Sequence, residues 1–241
     1  VCQQMRKLLS QQNRIEAIEA MDRIEALVRQ KCKAVLFDMD GVIVHTMPDH
    51  FRAWQKVLES IGIQVDEFEI YAREGEPGMV TLSELLAKYG KKLPQEQMRR
   101  LVQWKESLFK QIASPRLFSG VEDFISQLKN QGYRLALVTG TSKNEVDSIL
   151  PSRVADPFEV VITPELVSRG KPAPDPYLAA LDKLGLKPDE ALVIENAPYG
   201  IRSAKGAGLV CIAVATSLPR EYLQDADLIF DSIEEVRKLF P

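Results

Sequence analysis

The hydrophobic pattern changes character three times along the chain. From residue 1 to about 30, Met5, Leu8, Ile15, Ile18, Met21, Ile24 and Val28 recur at helical spacing with no Gly or Pro between them. That spacing predicts one helical extension over residues 1–30. Ala34-Val35-Leu36-Phe37 is then a short continuous apolar run, closed off by Gly41. Such a run reads as a buried strand of a parallel sheet. From Pro48 to Ile112 no stretch reads as a strand. Phe51, Trp54, Leu58 and Ile61 form one helical stripe, and a short helix is expected near 66–72. The loop Arg73-Glu74-Gly75-Glu76-Pro77-Gly78 leads to a helix over about 79–89. A longer helix starts near Pro94, with Met98, Leu101, Leu108 and Ile112 on one face. After 114–120 strands and helices alternate, with strands expected at 133–138, 158–162, 191–194, 209–214 and 227–230. Alternation of this kind predicts an α/β fold: a doubly wound parallel sheet with an inserted all-helical domain.

Composition narrows the function. A net charge of −3 with no long run of one sign gives no nucleic-acid footprint. No stretch approaches the length of a membrane span, and the N-terminus lacks the apolar core of a signal peptide. Cys2, Cys32 and Cys211 are scattered and form no CxxC, which fits a reducing, cytoplasmic compartment. The helical extension is expected to pack on its own domain; oligomerisation through it is the less favoured reading.

Candidate chemistry gathers at strand ends. Asp38 and Asp40 follow the first apolar strand, Thr139 the second, and Glu195 and Asn196 the 191–194 strand. Lys171 is expected to open the helix before that last strand. In open α/β sheets ligands bind beyond the carboxyl ends of strands. Any one of these residues reads equally well as a solvated loop or capping group, but together they share a chemistry. Two acids held close either bind a cation or split their pKa values. Hard oxygens from Asp38, Glu195 and Asn196 suit Mg²⁺, and a lysine and a hydroxyl can hold phosphate oxygens. A carboxylate can attack phosphorus and form an aspartyl phosphate. Phosphoryl transfer needs mainly positioning and charge neutralisation. Asp38 would then be the nucleophile. Asp40 would protonate the leaving oxygen and later deprotonate water, with Met39 turned away into packing.

DMDGVI, LVTGTS, GKPAPDPY and VIENAPYGI, in this order, resemble the four motifs of the haloacid-dehalogenase-like hydrolases. The helical insert after the first motif resembles the small cap of the phosphatase and β-phosphoglucomutase branch. The resemblance covers about residues 33–241. It implies a Rossmann-like catalytic core at 31–46 and 114–241, a helical cap at 47–113, and a helical extension at 1–30 outside both. It implies Asp38 as nucleophile and metal ligand, and Asp40 as general acid/base lending its carbonyl to the metal. It also implies phosphate binding by Thr139, Gly140 and Thr141, charge neutralisation by Lys171, and Glu195 and Asn196 on the Mg²⁺ side. Two departures matter. Glu195-Asn196 stands where the family usually has two acids, which weakens the expected metal affinity. His45-Thr46 stands where Asp often precedes Ser or Thr, and His45 reads as a substrate contact or a surface residue.

The cap bears on the reaction. His50-Phe51-Arg52-Ala53-Trp54 resembles the first cap helix of β-phosphoglucomutases, which would turn His50 toward the site. Those mutases share a basic cap loop for the distal phosphate of a bisphosphate. Here Glu74 and Glu76 would repel one, and only Arg73 could hold it. Glu74 together with ENAP is also similar to a pyrophosphatase-like branch, where the acid orients water or restricts the pocket to small substrates. The expectation is a Mg²⁺-dependent phosphohydrolase of a small phosphorylated metabolite, pyrophosphate included, acting through an aspartyl phosphate. A β-phosphoglucomutase-like enzyme is the alternative. A receiver module conflicts with DxDG on the first strand followed by a cap, and an inactive scaffold has only Asn196 in its favour. There is no GxGxxG, Walker A lysine or HExxH, and two histidines cannot build a His-rich metal site.

Overall fold

The computed structural model describes residues 18–240. Six strands, β1 (Ala34–Phe37), β2 (Arg134–Val138), β3 (Val160–Ile162), β4 (Ala191–Glu195), β5 (Val210–Val214) and β6 (Leu228–Phe230), form one sheet. All pairs are parallel and the order is β3-β2-β1-β4-β5-β6. The chain order reverses on either side of β1, which makes the carboxyl end of β1 the switch point where such sheets bind ligands. Phe37 stands level with Leu137 of β2 and Ile194 of β4. The residues just beyond, Asp38 and Glu195, therefore emerge side by side.

β1 is buried on both faces, which is why it reads as an unbroken apolar run. Val35 and Phe37 face a core shared with α6 (Val121–Asn130) and α11 (Ile233–Arg237). Ala34 and Leu36 face the other, shared with α9 (Asp175–Leu184) and α10 (Pro198–Gly206). Phe37 meets Phe124 and Phe158 edge-on, with ring centroids 5.8 Å apart in both pairs. Between α6 and α9 lie α7 (Lys143–Ile149) and α8 (Ser152–Ala155).

Four helices form the insert: α2 (Met47–Glu59), α3 (Glu67–Tyr71), α4 (Gly78–Lys88) and α5 (Gln95–Ile112). Pro48 sits in the first turn of α2, where a missing N–H costs nothing. Asp66 caps α3 by accepting from the Glu69 N–H at 2.9 Å. The insert has its own core around Trp54, Leu58, Leu82, Leu85, Leu101 and Phe109. Its two connections to the sheet domain run side by side: Val44 bridges to Leu117, and the His45 N–H donates to the Arg116 carbonyl at 2.8 Å.

The chain before β1 is helical over residues 18–30, here α1. Ile24 and Val28 are buried in the main core beside Phe240 and Val236. Arg23 pairs with Asp227 at 2.9 Å, and the Tyr133 hydroxyl donates to the Val28 carbonyl at 3.3 Å. The expected helix over residues 1–17 lies outside the described residues. Among the described residues, no helix is long and apolar enough to cross a membrane.

β1 and β4 start where the apolar pattern suggests, and β2, β3, β5 and β6 start one or two residues later. Phe158 is apolar because it packs on Phe37, yet ladder pairing begins at Val160. Lys171 does not open a helix. It lies in the loop before α9, which starts at Asp175.

The docking of α1 sets one expectation. Ile24→Ala should lower stability by about 2–5 kcal/mol in urea denaturation, as for other buried Ile truncations. A loss under about 1 kcal/mol would detach α1 from the core.

Candidate active site

Lys171 organises the strand ends. Its ammonium donates to Asp38 Oδ1 at 2.5 Å, to Glu195 Oε1 at 2.7 Å and to the Val138 carbonyl at 3.1 Å. All three N–H groups are thus used, at the ends of three neighbouring strands. Tyr177 on α9 adds its hydroxyl to Glu195 Oε1 at 2.9 Å. Glu195 Oε2 accepts the N–H groups of Asn196 (2.9 Å) and Ala197 (3.3 Å). Burial alone would lower the Lys171 pKa, but attraction by Asp38 and Glu195 outweighs it and holds the pKa above its ordinary value. Burial is also the main force raising the Asp38 pKa. Lys171 opposes it, and Glu195 and Asp40 add to it.

Asp40 lies two residues on, past Met39, which is fully buried in the core. Its Oδ1 accepts from the hydroxyl of Thr46 and lies 3.4 Å from His50 Nε2. Its Oδ2 accepts from Thr141 Oγ1 at 2.7 Å. Thr139 Oγ1 in turn accepts the Thr141 N–H at 3.0 Å, so the loop after β2 is drawn in around Asp40. Burial would raise the Asp40 pKa, but His50, Thr46 and Thr141 together hold it below the usual carboxylate value. Gly41 turns the chain at φ +83°. A Cβ there would lie 2.0 Å from Asn196 Nδ2, so only glycine fits.

The cap supplies the opposite wall of a cavity of about 400 Å³, lined by His50, Glu74, Lys105, Gly140, Thr141 and Glu145 among others. His50 stacks on Phe109 of α5 with centroids 4.0 Å apart, and its Nδ1 accepts from Lys105 Nζ at 2.9 Å. Burial and then Lys105 lower the His50 pKa. Glu74 is 9% exposed. Burial first, then the charges of Asp40 and Asp38, raise its pKa well above the ordinary value. Arg73 turns away to Glu76, at 3.3 Å, and to Glu84. Glu76 also accepts from Thr81 Oγ1 at 2.7 Å.

Sequence candidates and structure differ at several points. Glu195, expected on the metal side, has both oxygens occupied by Lys171, Tyr177 and two backbone N–H groups. It acts as the anchor of Lys171. Glu76, expected to repel a phosphate, is matched by Arg73 and Thr81. His45 packs edge-on against Phe118, at 5.5 Å between centroids, and it is Thr46 that reaches Asp40. Tyr177, Thr46 and Lys105 were not singled out from the sequence. Lys105 left a trace: it falls four residues after Leu101 and three before Leu108, a polar interruption of the apolar face of α5.

Three buried side-chain oxygens or nitrogens lack a hydrogen-bond partner among the described residues: Asp38 Oδ2, Glu74 Oε2 and Asn196 Oδ1. Asn196 Nδ2 donates to Ser217 Oγ at 3.1 Å, which orients the amide and leaves Oδ1 free. Orphaned buried oxygens are costly unless something else satisfies them. All three are hard donors of the kind Mg²⁺ takes. Among the described residues no three or more His, Cys, Asp or Glu gather as a metal site. A cation here would rest on a mixed set of carboxylate and amide oxygens.

Residues 35–214 match the family model described as haloacid dehalogenase-like hydrolase. The beta-phosphoglucomutase of Bacillus subtilis is 30% identical, over 82% of this chain and 88% of that protein. The validoxylamine A 7'-phosphate phosphatase of Streptomyces hygroscopicus subsp. limoneus is 28% identical, over 85% and 96%. A solved Bacteroides vulgatus structure, assigned as a beta-phosphoglucomutase, superposes with a TM-score of 0.80 at 31% identity, covering 93% of this chain and 95% of that one. Sheet order, cap and strand-end chemistry agree with these matches: the chain belongs to the haloacid dehalogenase-like hydrolases, as an enzyme of their phosphatase and phosphomutase branch.

Proposed function

We propose that the protein is a Mg²⁺-dependent phosphohydrolase that removes phosphate from a small phosphorylated metabolite through an aspartyl phosphate on Asp38. The observation that carries this reading is the asymmetry of Asp38. Lys171 holds Oδ1, while Oδ2 is buried and without a partner among the described residues. A fixed carboxylate with one free oxygen is a poised nucleophile.

Asp38 Oδ2 attacks phosphorus, and the bond from phosphorus to the leaving oxygen breaks. Asp40 gives that oxygen a proton. Before substrate enters, the low pKa of Asp40 keeps it ionised. An anionic phosphate beside it raises that pKa and lets it take up the proton it delivers. Asp40 then removes a proton from the water that attacks the aspartyl phosphate, and Asp38 is released as carboxylate. Thr46, Thr141 and His50 hold Asp40 in place, and Lys171 balances charge on Asp38. Asp38, Asn196 and Glu74 would hold Mg²⁺, with the Asp40 carbonyl as a further ligand. When bound, Mg²⁺ supplies neutralisation of the phosphoryl oxygens and of Asp38.

The cap favours water over a sugar hydroxyl as acceptor. A mutase must grip both ends of a bisphosphate. Arg73 is tied to Glu76 and Glu84, Lys105 to His50, and Glu74 faces the site as an acid. Glu74 beside the catalytic acids also limits the leaving group near phosphorus, and pyrophosphate is the smallest candidate. Cys32 and Cys211 are free thiols, which suits a cytoplasmic enzyme.

Asp38→Asn should reduce phosphate release by at least about 1,000-fold for sugar phosphates, nucleotides and pyrophosphate alike. Full retained activity would remove Asp38 as nucleophile. Pyrophosphate hydrolysed no faster than ordinary phosphomonoesters would remove it as the preferred substrate. Isomerisation of a phosphoglucose with added bisphosphate, faster than hydrolysis, would reverse the choice of acceptor.

Asn196→Asp adds a charge to the cation site. It should lower the Mg²⁺ concentration for half-maximal activity by roughly tenfold, since ligand charge sets affinity for hard cations. An unchanged Mg²⁺ titration would take Asn196 out of that site.

A further inference from the structure

Glu74 sits where a carboxylate has most reason to leave. It is a buried acid on the loop between α3 and α4, lining the cavity and close enough to Asp40, Asp38 and Glu195 to feel their charge. Its Oε2 has no hydrogen-bond partner among the described residues. Swinging out to water would relieve both the burial and the like charge.

Within the loop, backbone hydrogen bonds and packing fix Glu74, while its carboxylate has no hydrogen bond on Oε2 among the described residues. The Glu74 N–H donates to the Tyr71 carbonyl at 3.2 Å, and the Glu76 N–H to the Arg73 carbonyl at 3.0 Å. Gly75, at φ +75°, follows directly. Its backbone is pressed onto the catalytic loops. A Cβ on Gly75 would lie 2.5 Å from Lys171 Cδ, and one on Gly140 would lie 2.7 Å from Gly75 Cα. That seat leaves no room for a side chain, but it grips by contact alone.

The directional grip comes from the neighbouring residue. Arg73, 16% exposed at its side chain, donates Nη1 to Glu76 Oε2 at 3.3 Å and to Glu84 of α4. Glu76 is fixed again by Thr81 at 2.7 Å. Glu84 also accepts from the Tyr199 hydroxyl at 3.4 Å, and Tyr199 is on α10, three residues beyond Asn196. One guanidinium therefore ties the loop to α4, and through Glu84 to the core.

We propose that Arg73 is a positioning residue for this reaction: by anchoring the loop to Glu76 and Glu84, it keeps the adjacent Glu74 carboxylate seated at the catalytic acids. Arg73 has no contact with substrate in this role and acts through Glu74. The assignment rests on the phosphatase reading only in giving Glu74 a task.

A double-mutant cycle tests it. R73A and E74Q should each lower kcat/KM for the best substrate by about 10- to 100-fold, the scale of a misplaced active-site group. R73A/E74Q should be no slower than E74Q alone, within about twofold. A double variant slower than E74Q by the full R73A factor would mean that Arg73 acts independently of Glu74, and the proposal would fall. Hydrogen exchange gives a readout without turnover. R73A should speed exchange at the Glu74 and Glu76 amides by about tenfold or more, with the amides of α2 and α5 still protected. Unchanged protection at those two amides would overturn the proposal. If Asp38→Asn keeps full activity, the phosphatase reading fails separately, and the exchange experiment still decides the role of Arg73.

Discussion

A buried ammonium between two buried carboxylates is the interaction on which the rest depends. Taking three such charges out of water costs several kcal/mol per ion, and only good geometry and full hydrogen bonding recover it. Lys171 meets that demand with three acceptors, at the ends of β1, β4 and β2. The acceptors are close enough to share one ammonium because β1 lies between β2 and β4, with Phe37 level with Ile194 and Leu137. Sheet order thus becomes charge arrangement. Removing Lys171 would leave two acids facing each other in the dry, a loss of about 3–5 kcal/mol for a broken buried pair.

The same arrangement leaves the site short of positive charge. Asp38, Asp40, Glu74 and Glu195 are met by Lys171 and, from the cap, by Lys105, while His50 is held toward its neutral form by burial and by Lys105. A phosphate is itself an anion and cannot approach such a set unaided. The three unpartnered oxygens of Asp38, Glu74 and Asn196 mark where added positive charge is wanted. Two belong to the core and one to the cap. A cation gathered there would therefore draw the cap onto the core as well as admit the phosphate. Asn196 in place of an acid moderates the excess: it offers an oxygen without a further negative charge.

The sequence made the sheet and the acids legible for one reason. Strands buried on both faces show as unbroken apolar runs, so a polar residue at their end stands out. Asp38, Asp40, Thr139 and Glu195 were visible that way; Lys171 was visible as a lysine before the Glu195 strand, though in a loop rather than opening a helix. What stayed hidden is what long-range partners decide. Glu195 and Asn196 are adjacent in sequence, yet one faces Lys171 and Tyr177 while the other has a free oxygen. His45 and Thr46 are adjacent too, and backbone direction alone puts Thr46 on Asp40. Phe158 shows the limit for strands, since packing on Phe37 makes it apolar two residues before the ladder begins.

The choice between water and a sugar hydroxyl comes down to which way a few cap side chains turn. His50 on α2, Lys105 on α5 and Glu74 on the loop before α4 all face the cavity. The ammonium of Lys105 is engaged by His50, and His50 lies 3.4 Å from Asp40; on the proposed mechanism these cap groups support Asp40 and leave little to hold a distal phosphate. Arg73 borders the same cavity but is tied to Glu76 and Glu84. With Arg73 so held, the loop presents the Glu74 carboxylate to the cavity. Neighbouring residues at 73 and 74 carry opposite charges, and the loop sets the acid near the catalytic carboxylates and the base against Glu76 and Glu84.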